Sequence, residues 1–221
     1  MTAAPHIVDL VASGAHAVAA RLATTPGTRK VPSPRLQQFI IPRWLGAESC
    51  AAMITRIDTA VRPSTIADPN GDDAFRTSLT GDLDHGDAAV RALDDRLCAL
   101  TGIDPGFGEP LQGQRYDVGQ QFKAHTDYFE PDGLDYQKYC AISGQRTWTL
   151  MIYLNVPDAG GATRFRDTGK IHQPETGKLL AWNNIGLDGA PNPATIHAGM
   201  PVRAGRKYVI TKWYRERAWP W

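Results

Sequence analysis

The stretch QQFKAHTDYF, residues 120–129, places a histidine and an aspartate two positions apart in a segment with strand character. Successive side chains of a β-strand point to opposite faces, so His125 and Asp127 are expected to project together with Thr126 turned away. An imidazole and a carboxylate side by side are two of the three ligands of the facial triad that holds non-heme Fe(II) and leaves coordination positions open. The reading therefore needs a third ligand and a β-rich scaffold to carry it.

The scaffold is visible downstream of residue 106, where short runs are separated by Gly, Pro, Asn and Asp: LQGQRYDV, QFKAHTD, TWTLMIYLN, ATRF, KLLAW, ATIHA and KYVITKWY. Such punctuation is that of a sandwich or barrel. TWTLMIYL is apolar on both alternating faces, which suits a strand covered on each side.

Upstream the period changes. Ile7, Val11, Ala15, Val18 and Leu22 form one stripe of an amphipathic helix, and the Pro-rich TTPGTRKVPSP of residues 24–34 reads as a linker. LQQFIIPRWL reads as a short strand. A helix is expected from Glu48 to about Val61, carrying Ile54, Ile57 and Val61. Another is expected from Asp87 to Leu100, with Asp87 as cap, Val90, Leu93, Leu97 and Leu100 as stripe and Gly102 as stop. The expected organisation is an N-terminal helix and linker over residues 1–34, then one catalytic domain over 35–221, helical to about 105 and β-rich beyond.

Composition narrows the function classes. The 24 Lys and Arg nearly balance the 23 Asp and Glu, giving no field that favours a nucleic acid or membrane partner. No segment approaches the length of apolar sequence that spans a bilayer, and the N-terminus lacks the positive start of a secretory signal. The three cysteines, Cys50, Cys98 and Cys140, show no paired spacing and read as reduced thiols of a cytoplasmic protein.

Of six histidines, His6 and His16 fall on the N-terminal helix and His85 in the polar GDLDHGD. His172 and His197 remain as third-ligand candidates, and His197 has the better context. It closes ATIHAG, and after a reversal RKYVITKWY brings Lys207 back ten residues later. Alternation sets Lys207 on the face of Val209, Thr211 and Trp213, which looks interior. A buried lysine needs an anion, because an unpaired buried charge is expensive. A substrate carboxylate would supply one.

The ordered set RYDVGQQFKAHTDYF, QRTWTLMIYLN, GGATRF, PETGKLLAWNN and HAGMPVRAGRKYVITKWYRE, with FRTS and EPLQGQRY upstream, resembles the Fe(II) and 2-oxoglutarate dependent dioxygenases, in particular their prolyl 4-hydroxylase branch, over about residues 36–217. The resemblance implies a mixed, mainly β fold: a double-stranded β-helix, or jelly-roll, with buttressing helices. It implies His125, Asp127 and His197 as Fe(II) ligands, Lys207 as partner of the distal carboxylate of 2-oxoglutarate, and Tyr116 and Thr163 as hydrogen-bonding partners of the same carboxylate. O2 is then the oxidant, ascorbate a candidate further cofactor, and hydroxylation of an unactivated C–H bond, with release of succinate and CO2, the activity.

On the substrate side the resemblance points to Arg146, against which stands an ordinary structural ion pair. The family's peptide hydroxylases often end this region in Lys-Trp-Leu-His-Glu. Here it reads KWYRE, with Arg215 in place of the histidine, and such a cation suits a carboxylate or phosphate. The substrate is thus either a prolyl peptide or a small amino-acid-like molecule. The polar, aromatic segment 128–146 reads as a lid or a plain surface excursion. Two other readings keep the jelly-roll: a zinc-type hydrolase or cupin-like isomerase, and a non-catalytic binding module. Oligomeric state is not legible.

Overall fold

Asp87 and Gly102 bracket the best-defined helix of the chain. The Asp87 carboxylate accepts from the amides of Ala89 (2.7 Å) and Val90 (3.2 Å), and Gly102 closes the other end in the left-handed conformation. The computed structural model describes residues 7–65, 74–186 and 188–220. Within these, four helices are α1 (Ile7–Thr24), α2 (Ala47–Thr59), α3 (Ala88–Thr101) and α4 (Leu134–Cys140). His6 lies outside the described residues, as do the side chains of Ile7, Val11, Ala15 and His16. Val18 and Leu22 of the expected stripe are buried.

The remaining chain is mainly β. Strands β1 (Arg29–Lys30), β2 (Gln38–Ile41), β3 (Val61–Pro63), β4 (Leu79–Asp82), β5 (Gln112–Tyr116), β6 (Phe122–His125) and β7 (Arg146–Tyr153) come first. They are followed by β8 (Ala159–Gly160), β9 (Thr163–Phe165), β10 (Ile171–His172), β11 (Leu179–Asn183), β12 (His197–Gly199), β13 (Val202–Ala204) and β14 (Lys207–Arg215). An eight-stranded sheet runs in the order β1-β2-β11-β7-β14-β5-β4-β3, a four-stranded sheet in the order β10-β9-β12-β6, and β13 pairs with β8. Every one of these pairings is antiparallel.

Alternation along the central strands explains why they are apolar throughout. Trp148, Leu150 and Ile152 of β7, with Leu179 and Ala181 of β11, pack in one core with the helices. Met151, Tyr153, Leu180, Trp182 and Val209 face the other way and meet Phe165 of the small sheet in a second core. The large sheet is thus covered on both faces. On β14 the same rule sorts two lysines five positions apart. Lys212 turns to the helices, where its ammonium pairs with Asp94 of α3 at 2.7 Å, while Lys207 turns to the second core.

Several expectations change. The buried face of α2 is Cys50, Met53 and Ile57, with Ile54 only partly covered and Val61 already on β3. The Pro-rich stretch is not a bare linker: Arg29 and Lys30 pair with Ile40 and Phe39, extending the large sheet. Beyond the expected β2, the region up to 105 also carries β3 and β4 of that sheet as well as helices. The excursion 128–146 contains α4, where the sequence showed no helical period.

Gly177 makes a checkable point of tight packing. Its φ is +74°, and a Cβ there would drive into the carbonyl oxygen of Leu45. Gly177→Ala is expected to destabilise by roughly 1–3 kcal/mol or more, read as a lowered urea midpoint at unchanged slope.

Candidate active site

His197 and His125 are direct cross-strand partners on β12 and β6, with ring centroids 4.3 Å apart. Their pairing is what turns residues 72 positions apart in sequence into neighbours. Asp127 lies two residues beyond the end of β6, in a bend rather than in the strand expected for it. It still reaches both rings: Oδ1 is 3.9 Å from His125 Nε2 and Oδ2 is 4.0 Å from His197 Nε2. One ligand atom from each of the three side chains lies within 4.8 Å of the others.

The donor set fits a metal ion. Each imidazole holds its Nδ1 against a backbone carbonyl, Lys123 O for His125 (2.8 Å) and Thr195 O for His197 (2.9 Å), which leaves both Nε2 atoms as acceptors. Burial, aided by the neighbouring His197, brings the His125 imidazole down to about 3, so it stays neutral. Burial works to raise the Asp127 carboxyl, but His197, His125 and Arg146 together with the Thr149 hydroxyl outweigh it and hold the group below its ordinary value. A neutral His125 imidazole beside an ionised carboxylate is in the protonation state that coordination needs. His172, the other candidate, is buried but used differently: its Nε2 meets Gln38 Oε1 at 3.3 Å and its ring packs edge-on to Phe165.

The three side chains open into a pocket that is also lined by Tyr116, Thr163, Lys207, Thr211 and Trp213. In this pocket Lys207 is 2% exposed, with its ammonium 4.1 Å from the centre of the Tyr116 ring. No carboxylate among the described residues pairs with it, and burial pulls its pKa down to about 7. The contrast with Lys212, equally buried but matched by Asp94, marks Lys207 as a cation kept for something else. Tyr116 donates to Gln114 Oε1 at 2.8 Å. Thr163 Oγ1 lies 2.6 Å from the Tyr153 hydroxyl, which also reaches His172 O at 3.1 Å.

The two arginines assigned to the substrate side are engaged by protein. Arg146 grips Glu109 with Nε (2.6 Å) and Nη2 (2.8 Å) and lies between the rings of Trp213 and Phe129. Arg215 is 4% exposed, is not among the residues lining the pocket, and gives its donors to Gly144 O (2.7 Å) and Tyr139 O (3.0 Å), with Nε 2.8 Å from Glu109. Arg217 takes the carbonyls of Cys140, Ala141 and Ile142. The end of α4 and the turn after it are therefore held by two arginines. Arg215→Ala is expected to loosen this segment by about 2 kcal/mol, making its amides exchange roughly 30-fold faster. Exchange measured by mass spectrometry over residues 134–146 would read this, and unchanged rates would contradict it. Sequence reading missed Glu109, Gln114 and Thr149, although Thr149 is legible as a polar residue inside an apolar strand.

Fold and site together have the donor set of the mononuclear two-histidine, one-carboxylate class. Residues 111–215 match the family model described as 2OG-Fe(II) oxygenase superfamily. Human prolyl 4-hydroxylase subunit alpha-1 is 33% identical over 162 residues, which is 71% of this chain but only 30% of that protein. Probable prolyl 4-hydroxylase 4 of Arabidopsis thaliana is 28% identical over 214 residues, covering 85% of this chain and 70% of the relative. The viral collagen prolyl hydroxylase of Paramecium Bursaria Chlorella virus-1, solved as a 2OG complex, shares the fold, with a TM-score of 0.62 at 21% identity over 80% of this chain and 94% of that one. The chain belongs to the 2OG-Fe(II) oxygenases and is prolyl 4-hydroxylase-like among them. The cofactors of that family are Fe(II), 2-oxoglutarate and O2.

The cysteines at 50, 98 and 140 are buried and free. Among the described residues no helix is long and apolar enough to cross a membrane.

Proposed function

We propose that this chain is an Fe(II)- and 2-oxoglutarate-dependent hydroxylase acting on a prolyl peptide, built on a double-stranded β-helix formed by the two facing sheets, with residues 35–221 as its catalytic domain. The observation that carries the reading is Lys207, a buried and unpaired ammonium in the same pocket as two histidines and an aspartate. Zinc-type hydrolysis would have no use for it.

When bound, the iron, 2-oxoglutarate and O2 supply the oxidising chemistry that puts a hydroxyl on an unactivated carbon and releases succinate and CO2. The chain's own residues bind, orient and shield. His125, Asp127 and His197 hold the metal and leave coordination positions for a two-point chelate. Lys207 meets the distal carboxylate of the cosubstrate, Thr163 donates a second bond to it, and Tyr116 turns its hydroxyl from Gln114 to give a third. Trp182, Phe122 and Met151 line the pocket and keep bulk water from the reacting carbon. Arg215 was the reason to favour a small anionic substrate. With its donors taken up by Gly144 and Tyr139, that reason falls away, and the names of the relatives favour a prolyl residue.

The reading is tested by following succinate release with proline-rich peptides and with free amino acids. Turnover of the peptides is expected; turnover of free amino acids alone would reassign the substrate. Lys207 adds a signature in pH. With its pKa near 7, it is about nine-tenths neutral at pH 8, and pairing with a carboxylate restores the proton. Binding of 2-oxoglutarate at pH 8 is expected to take up close to one proton, and its affinity to be level below pH 7 and to fall as pH rises above it. Calorimetry in two buffers of different ionisation enthalpy measures the uptake, and none at pH 8 would remove Lys207 from this role.

A further inference from the structure

Behind Asp127 lies a pair of fully buried polar side chains that are not among the residues lining the pocket. Thr149, in the middle of β7, donates its hydroxyl proton to Asp127 Oδ2 at 2.7 Å. Asn184, just past β11, donates from Nδ2 to Thr149 Oγ1 at 2.9 Å. The direction is fixed by proton counting. An ionised carboxylate only accepts, so Thr149 must give its single proton to Asp127, and its oxygen must then receive one from the Asn184 amide.

The arrangement is costly as packing. Asn184 and Thr149 are wholly buried, and Asn184 Oδ1 finds no donor among the described residues. Apolar residues of like shape would avoid that unsatisfied acceptor. Asn184 also reaches the second ligand. Its backbone oxygen accepts from Asn192 N (2.8 Å), Asn192 O accepts the Thr195 hydroxyl (2.7 Å), and Thr195 O holds His197 Nδ1 (2.9 Å). One residue at the end of β11 is thus tied to two of the three candidate ligands.

We propose that Thr149 and Asn184 are positioning residues for the metal centre: the Thr149 hydroxyl, aimed by Asn184, occupies Oδ2 of Asp127 and so presents Oδ1 as the single coordinating oxygen. A carboxylate bound through one oxygen leaves the extra position that a two-point chelate requires. The inference rests on His125, Asp127 and His197 being the metal ligands.

The test is titration of the metal-free protein with Co(II), following its visible ligand-field absorption, with no cosubstrate present. Wild-type protein is expected to bind and Asp127→Ala to fail. Thr149→Val keeps size and shape and is expected to weaken Co(II) roughly 10- to 100-fold and to alter the band shape. Thr149→Ser restores the hydroxyl and is expected to bind within about threefold of wild type. Near-ultraviolet circular dichroism checks that both variants fold. Thr149→Val with the wild-type affinity and spectrum, or both variants equally impaired, would overturn the positioning role while leaving the ligand assignment intact. Absence of Co(II) binding by wild type, or binding indifferent to Asp127→Ala, would instead remove the ligand assignment and the inference with it.

Discussion

Lys207→Met is expected to move stability and cosubstrate binding in opposite directions. A buried ammonium without a partner is a burden on the ligand-free fold, so its replacement by an apolar side chain of similar length should stabilise by roughly 1–4 kcal/mol, several degrees in Tm. The sign follows from linkage. The unfolded lysine titrates near 10.4 and the folded one near 7, so the unfolded state binds more protons between these values and the wild type gains stability as pH rises through that window. The advantage of the variant should therefore be full at and below pH 7 and shrink toward pH 10. Binding goes the other way: at an effective dielectric near 20, a charge pair about 4 Å apart is worth about 4 kcal/mol before desolvation, so 2-oxoglutarate should bind roughly 100- to 1,000-fold more weakly. Thermal melts with and without 2-oxoglutarate read both effects. A variant that keeps the cosubstrate-dependent shift in Tm would refute the assignment.

Asp127→Ala should have the other large effect. Without the carboxylate the two histidines lose both a third ligand and the negative charge of the cluster, so succinate formation is expected to drop by at least about 1,000-fold. Anaerobic mixing with Fe(II) and 2-oxoglutarate should fail to give the visible charge-transfer band of the chelate. The fold should survive, since Asp127 lies outside the regular strands and its main protein bond is to Thr149. A retained band would mean that the metal sits elsewhere.

How much of this was legible from the residues can be traced element by element. Short runs between Gly, Pro, Asn and Asp located β7, β11 and β14, and alternation placed Lys207 on the face of Val209, Thr211 and Trp213, because side-chain direction in a long buried strand is local geometry. Asp87 and Gly102 announced α3 for the same reason. His197 could be preferred over His172 only by context, since the β6–β12 pairing that sets it against His125 is a long-range event. Asp127 reached the site by a bend rather than by strand alternation, so the expected neighbourhood was right while the local geometry behind it was not. The helix α4 carries no apolar period to be read: it is held at its end by Arg215 and Arg217, which come from the far end of the chain. The small strands β1, β3 and β4 are defined by their partners more than by their own residues.

The opposed lysines of β14 have one more consequence. A strand buried along its whole length, as this one is, could in principle slide by one residue against β5 and β7 and still present apolar side chains to both layers. Such a slide would turn Lys212 away from Asp94 and thrust the ammonium of Lys207 among the helices, leaving an acid and two cations stranded. Charge thus acts as a detent on the ladder, and the residue kept ready for an anion also guards the alignment of the strand that carries it.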